Sequence, residues 1–275
     1  MRTLYVSDLD GTLLRHDETL SAYTCETLNR LIGAGVIFSF ATARSAVTAR
    51  RVTSGLTAAF PIIVYNGAFL LDHRDGRVLW SSRFSAPERE EIFFLLGEYA
   101  IEPIVYATPR GRESFSYLPE RLSAEARAFV ATRRGDPRDR PLQDPAALPE
   151  GDPFYFTCIG EPGRLAAAYD QLKEKFYCTF QPDIYTGAHW LEIMPRNVSK
   201  ANAVQRLKAL LQCDRVVSFG DAVNDLPMFE VSDECYAVEN AAPQLKEAAT
   251  GIIPCNEADG VAGWLAEHAM AAVSL

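Results

Sequence analysis

Apolar residues fall in two rhythms along this chain. Short unbroken apolar runs at 3–7, within GVIFSFATAR (35–44), in PIIVYNG (61–67), in RVVSFGD (215–221) and in CYAVEN (235–240) predict strands. Residues 22–33, 45–56 and 200–212 instead space their apolar positions as a helix does. In the last of these, Ala203, Leu207, Leu210 and Leu211 share one side. Short apolar strands separated by helices predict an α/β fold, a Rossmann-like parallel sheet covered on both faces. In such sheets ligands sit at the carboxyl ends of the strands.

The middle of the chain breaks this alternation. GRVLWSSRF (76–84) reads as a hairpin arm, 86–101 as a helix and PIVYA (103–107) as a strand. Prolines then recur at 137, 141, 145, 149 and 153, and a proline every four residues cannot form a regular helix, so 133–153 is expected to be a long irregular loop. A strand at 154–160, a helix near 163–175 and strands at 176–181 and 189–193 follow. The expectation is an α+β insertion dividing one α/β sheet: core at 1–82, inserted domain at 83–190, core again at 191–275.

Composition narrows the class. Of the 275 residues 48% are hydrophobic and 23% charged, which suits a packed globular protein. The net charge of −9 argues against a nucleic-acid partner but leaves a small phosphorylated ligand open. No apolar run approaches the roughly 18 residues of a membrane span, so no membrane partner is expected. A strand beginning by residue 4 leaves no room for a signal peptide, and a cytoplasmic protein is expected. The six cysteines form no CxxC pair and no metal-like spacing with the four histidines, which reads as free thiols. No GxxxxGK[ST], no GxGxxG after the first strand and no GxSxG is present.

The chemistry gathers at predicted strand ends. Asp8 and Asp10 stand two residues apart in LYVSDLDGTLL, where an apolar strand runs out, and unpaired buried carboxylates are costly. Further short stretches lie at comparable places: ATAR (41–44), SK (199–200) and GDAVND (220–225). Taken in order, DLDGT, ATAR, SK and GDAVND resemble the four motifs of the haloacid dehalogenase superfamily of phosphatases. The insertion matches the position of that superfamily's class IIB cap, and YNGA (65–68) and EADGVAGWL (257–265) look like its Cof-type branch. Two positions depart from the pattern: Ala43 and Ala201 stand where glycine is common.

The resemblance implies a phosphatase acting on a small phosphorylated metabolite, with Mg²⁺ and an aspartyl-phosphate intermediate. Asp8 would be the nucleophile. Asp10 would be the general acid for the leaving alkoxide and then the base for water. The implied metal ligands are the Asp8 and Asp221 side chains and the Asp10 carbonyl, with Asp225 acting through water. Thr42 offers a hydroxyl and Ala43 an N–H to the phosphoryl oxygens, and Asn224 could hold another. Lys200 follows Ser199, a good N-cap, so it stands in a first helical turn where the dipole disfavours a cation and a phosphate would welcome one. Plainer readings stand beside these: Lys200 as a surface lysine, Asp225 as the cap of a helix at LPMF, Thr42 as a cap. The arginines at 133, 134, 138 and 140, with His189, read as a solvated part of the insertion. A sugar phosphomutase would use the same Asp8 chemistry. A non-catalytic phosphoryl sensor would also want an acidic pocket, but it leaves Asp10 and the insertion unexplained. The cap is expected to select the substrate.

Overall fold

A computed structural model describes residues 1–57, 60–182 and 187–269. Residues 183–186, within the expected insertion, and 270–275, within the expected second core part, lie outside the described residues. The chain divides into two compact units, Met1–Ser81 with Ser199–Leu275, and Ser82–Val198.

The first unit begins β1 (Thr3–Ser7), α1 (Ala22–Gly33), β2 (Ile37–Phe40), α2 (Ala46–Val52), β3 (Pro61–Val64), β4 (Phe69–Asp72) and β5 (Val78–Ser81). Ser21 and Ser45 start the two helices, each side chain accepting a backbone N–H three residues on. The second unit holds α3 (Ala86–Glu98), β6 (Ile104–Ala107), β7 (Ser114–Tyr117), α4 (Ala124–Ala131), β8 (Asp139–Pro141), β9 (Tyr155–Gly160), α5 (Pro162–Leu172), β10 (Tyr177–Pro182) and β11 (His189–Met194). The first unit resumes with α6 (Lys200–Leu210), β12 (Arg215–Gly220), α7 (Leu226–Glu230), β13 (Glu234–Val238), α8 (Pro243–Ala248), β14 (Gly251–Ile253) and α9 (Gly260–His268).

The core sheet is parallel throughout, in the order β14-β13-β12-β1-β2. Its strands are apolar because both faces are covered: Leu4, Val6, Phe38, Phe40, Val216 and Phe219 are all buried. β1 lies between β2, which follows it in the chain, and β12, which arrives only after the second unit. The carboxyl ends of β1, β2 and β12 therefore come together where the winding direction changes, the usual place for a ligand.

Strand β3 differs from the alternation's expectation. It joins the parallel sheet through an isolated bridge, Ala41 to Ile63, and forms an antiparallel sheet with β4 and β5. The reason is the turn after it. Tyr65, Asn66 and Gly67 all take positive φ (51°, 52° and 102°), which reverses the chain at once.

The second unit is a mixed sheet, β10-β11-β9-β6-β7-β8, with α3 and α5 packed on one face through Phe84, Ile92, Phe156, Leu165 and Leu191. Three expectations need correction here. A boundary at 190/191 would cut β11, which pairs along its length with β9 and β10; the second unit runs to Val198. The proline-rich stretch is not wholly irregular, because β8 pairs in parallel with β7. Arg138 is buried rather than solvated, paired with Asp136 and Glu113, and Arg140 pairs with Glu150. All six cysteines are free.

Candidate active site

Asp8 is the first residue past β1, and its N–H donates to the Phe219 carbonyl of β12 at 2.9 Å, which docks the two strand ends together. Its carboxylate is buried. Lys200, at the first position of α6, donates from Nζ to Asp8 Oδ1 at 2.5 Å and to Asp225 Oδ1 at 2.7 Å. Lys200 is 3% exposed and Asp225 not at all, so the surface-lysine reading fails. A cation in a helix's first turn opposes the dipole, and burying it costs more; two carboxylates offset both.

Asp225 reaches back rather than forward. Its Oδ2 accepts the N–H groups of Asp221 and Ala222, each at 3.2 Å, and its side chain does not cap α7. This folds GDAVND tightly, and a Cβ at Gly220 would crowd that same carboxylate. Asp221 accepts from Thr12 Oγ1 at 3.0 Å. Gly11 has φ 75°, and a side chain there would overlap the Asp221 carboxylate. The glycine of DLDGT thus permits both the turn and the approach of the third acid.

Carboxylate oxygens of Asp8, Asp221 and Asp225 lie within 4.8 Å of one another, an all-oxygen set that suits a hard divalent cation. The electrostatics fit such an ion. Burial pushes Asp8 well above the usual carboxylate range against the pull of Lys200, and Asp225, Asp221 and Asp10 push it further. Burial, then Asp225, raises Asp221 to about 6. Burial opposes the charge on Lys200, yet Asp225 and Asp8 outweigh it and hold the ammonium firmly protonated. Three crowded acids face one lysine, and a dication would relieve their repulsion.

The Asp10 side chain stands apart from that trio. Arg44 grips it: Nε donates to Oδ2 at 2.8 Å and to Oδ1 at 3.1 Å, and Nη2 to Oδ1 at 2.5 Å. Thr42 is buried just past β2; its Oγ1 accepts the Arg44 N–H at 3.1 Å, a local turn rather than a helix cap, since Ser45 caps α2. Ala43 is exposed between them. Asn224 lies in the one-turn helix before α7, with its buried Oδ1 lacking a partner among the described residues.

Sequence reasoning passed over Thr12, Glu18 and Arg44. The signal was the arginine of ATAR itself, a long cation at a strand end facing two acids. The Cof-like stretches also find work. Asn66 donates its N–H to the Thr42 carbonyl and Tyr65 to that of Arg44, while a Cβ on Gly67 would overlap the Ser199 carbonyl. The YNG turn therefore wedges between the end of β2 and the start of α6. The C-terminal segment holds the loop after Gly11. Asn256 Nδ2 donates to Leu14 O, Glu257 accepts from His16 N, Asp259 takes Arg15 and Thr24 Oγ1, and Asn240 Nδ2 donates to Gly11 O.

The family model described as haloacid dehalogenase-like hydrolase matches residues 5–265. The chain is 25% identical to the 5-amino-6-(5-phospho-D-ribitylamino)uracil phosphatase YwtE of Bacillus subtilis (strain 168), over 93% of this chain and 94% of that one. It is 26% identical to the HMP-PP phosphatase of Yersinia enterocolitica, over 90% and 87% of the two chains. The crystal structure of TM0651 from Thermotoga maritima superposes with a TM-score of 0.79 at 24% identity, covering 97% of each chain, which shows the fold.

Proposed function

Since the chain belongs to the haloacid dehalogenase-like hydrolases and is a phosphatase, we propose that it hydrolyses a small phosphomonoester with Mg²⁺ through an aspartyl-phosphate on Asp8. The observation that carries this is the buried cluster in which Lys200 bridges Asp8 and Asp225 beside Asp221.

Asp8 attacks phosphorus in line with the ester oxygen and takes the phosphoryl group, splitting one hard step into two. Asp10 gives its proton to the departing alkoxide, then takes one from the water that cleaves the aspartyl-phosphate. Such a group is worth about 10²–10⁴-fold. Lys200 neutralises the entering phosphoryl oxygens and keeps Asp8 oriented. The Thr42 hydroxyl, the Ala43 N–H and the Asn224 amide take the remaining phosphoryl oxygens. Asp8, Asp221 and the Asp10 carbonyl would hold Mg²⁺, with Asp225 through water; the ion supplies charge neutralisation for nucleophile and phosphoryl group.

The proposed substrate is a small organic phosphate of the kind the Bacillus relative is named for, a phosphorylated ribitylaminouracil. The unit Ser82–Val198 is assigned the choice of ester and no group essential to the chemistry. A panel of phosphorylated metabolites assayed for phosphate release with Mg²⁺ tests the reading. Release from several small esters, abolished by chelator and restored by Mg²⁺, is expected. Return of the phosphoryl group to a second position of the substrate, without free phosphate, would overturn it.

A further inference from the structure

The phosphoryl-transfer reading assigns a role to Asp10 but none to what holds it. Arg44 makes three contacts with the Asp10 carboxylate, all at 3.1 Å or less, through a planar fork. Arg44 is itself held, because Nη2 also lies 3.0 Å from Glu18 Oε2. Asp10 and Glu18 together keep the guanidinium charged against burial, which acts the other way. Glu18 stands in a turn where its N–H donates to Arg15 O and Arg15 N–H to Thr19 O, and its own φ is 60°. A left-handed backbone is unusual for glutamate. The chain accepts that conformation at the residue whose carboxylate meets Arg44.

We propose that Arg44 is the positioning residue for the proton-transferring carboxylate, and that Glu18 in turn fixes Arg44. This rests on the reading of Asp10 as general acid and base. A free aspartate side chain samples several rotamers; the fork selects one. A carboxylate has about four lone-pair sites, so the fork leaves room for the proton that Asp10 must carry. Lysine cannot replace it, being a single point donor without a fork.

The test separates proton delivery from general damage by varying the leaving group. A p-nitrophenolate departs with little help from an acid, whereas an alkoxide needs a proton. The quantity compared is kcat/KM, because it reports only the steps up to departure of the leaving group and so excludes hydrolysis of the shared aspartyl-phosphate. Wild type, Arg44→Lys and Glu18→Gln are assayed on p-nitrophenyl phosphate and on an alkyl phosphate, with thermal melting to establish folding. Arg44→Lys should lower kcat/KM for the alkyl phosphate by about 10- to 100-fold, a share of what a general acid supplies. The aryl ester should change by less than about threefold. Glu18→Gln should show the same selectivity more weakly, and it decides the matter if Arg44→Lys does not fold. Equal losses on both esters, or no loss on either, would overturn the positioning role. Failure of the wild-type protein to release phosphate from either ester would instead sink the phosphatase reading on which it stands.

Discussion

At the scale of single residues, the site depends on charge held where charge is expensive. Lys200 is tolerated only because two acids reach it, and those acids are tolerated partly because of it. Replacing Lys200 by methionine leaves Asp8 and Asp225 buried without their cation. Breaking a buried pair in this way costs about 3–5 kcal/mol, so Lys200→Met should melt much earlier in chelator, and a divalent ion should recover part of the loss. An unchanged melting temperature would show that the bridge does not matter to the fold. Asp8→Asn behaves differently. The amide keeps the shape and relieves the like-charge crowding around Asp8, but cannot attack phosphorus. Its melting temperature should stay within a few degrees of wild type while phosphate release falls by on the order of 10⁴-fold or more. Turnover near the wild-type rate on several esters would remove Asp8 from the nucleophile's place.

At the scale of elements, the machinery stands on short segments that other segments hold still. The loop after β1 is tied by Asn240, Asn256, Glu257 and Asp259, and the start of α6 is seated against the YNG turn. Gly67 is the tightest point of that second contact, at φ 102° with the Ser199 carbonyl where a Cβ would stand. Gly67→Ala pays a left-handed penalty of about 1–2 kcal/mol before any overlap is counted. It should also displace Ser199 and with it Lys200. Denaturant unfolding together with turnover is the check: a loss of stability above about 1 kcal/mol is expected, with kcat falling further than KM changes. A variant as stable and active as wild type would mean that the turn does not set the position of Lys200.

At the scale of the whole molecule, stability, metal and pH are linked through the acid cluster. Asp221 titrates at about 6 in the folded protein, above the ordinary aspartate value of 3.8. The folded state thus binds that proton more tightly than the unfolded chain. Its contribution is fully present below about pH 4 and is lost as pH rises through about 6. A divalent ion needs the same carboxylates deprotonated. Without metal, the contribution from Asp221 should make the protein less stable at pH 7 than near pH 5. With Mg²⁺ the order should reverse, and the Mg²⁺ concentration needed for half-maximal activity should rise as pH falls below about 6. Melting curves at several pH values, with chelator and with Mg²⁺, measure both trends; identical curves in the two conditions would exclude metal binding at this cluster.

Much of the fold was legible because its causes are local. The apolar run of β1, the helical spacing of α1 and α6, and the Ser199 cap of α6 are each set by residues within one or two turns of one another. Strand ends could be read as places for chemistry, since charged residues stop an apolar strand. Asp8, Asp221 and Lys200 stand out on those grounds and on their motifs. What tertiary structure alone decided are matters of neighbours distant in the chain. Lys200 meets Asp8 across 192 positions and Thr12 meets Asp221 across 209, and no periodicity carries such information. Whether Lys200 faced water or a carboxylate pair depended on where β12 delivered Asp225. Arg44 is only the last letter of a motif in the sequence, and its place comes from Asp10 and Glu18 folded around it. The end of the second unit lay beyond local reading for the same reason. β11 reads as a strand in isolation, and only its ladder with β9 and β10 shows which sheet it completes. Propensity and period act over a few residues, while burial and charge pairing belong to whatever the folded chain brings alongside.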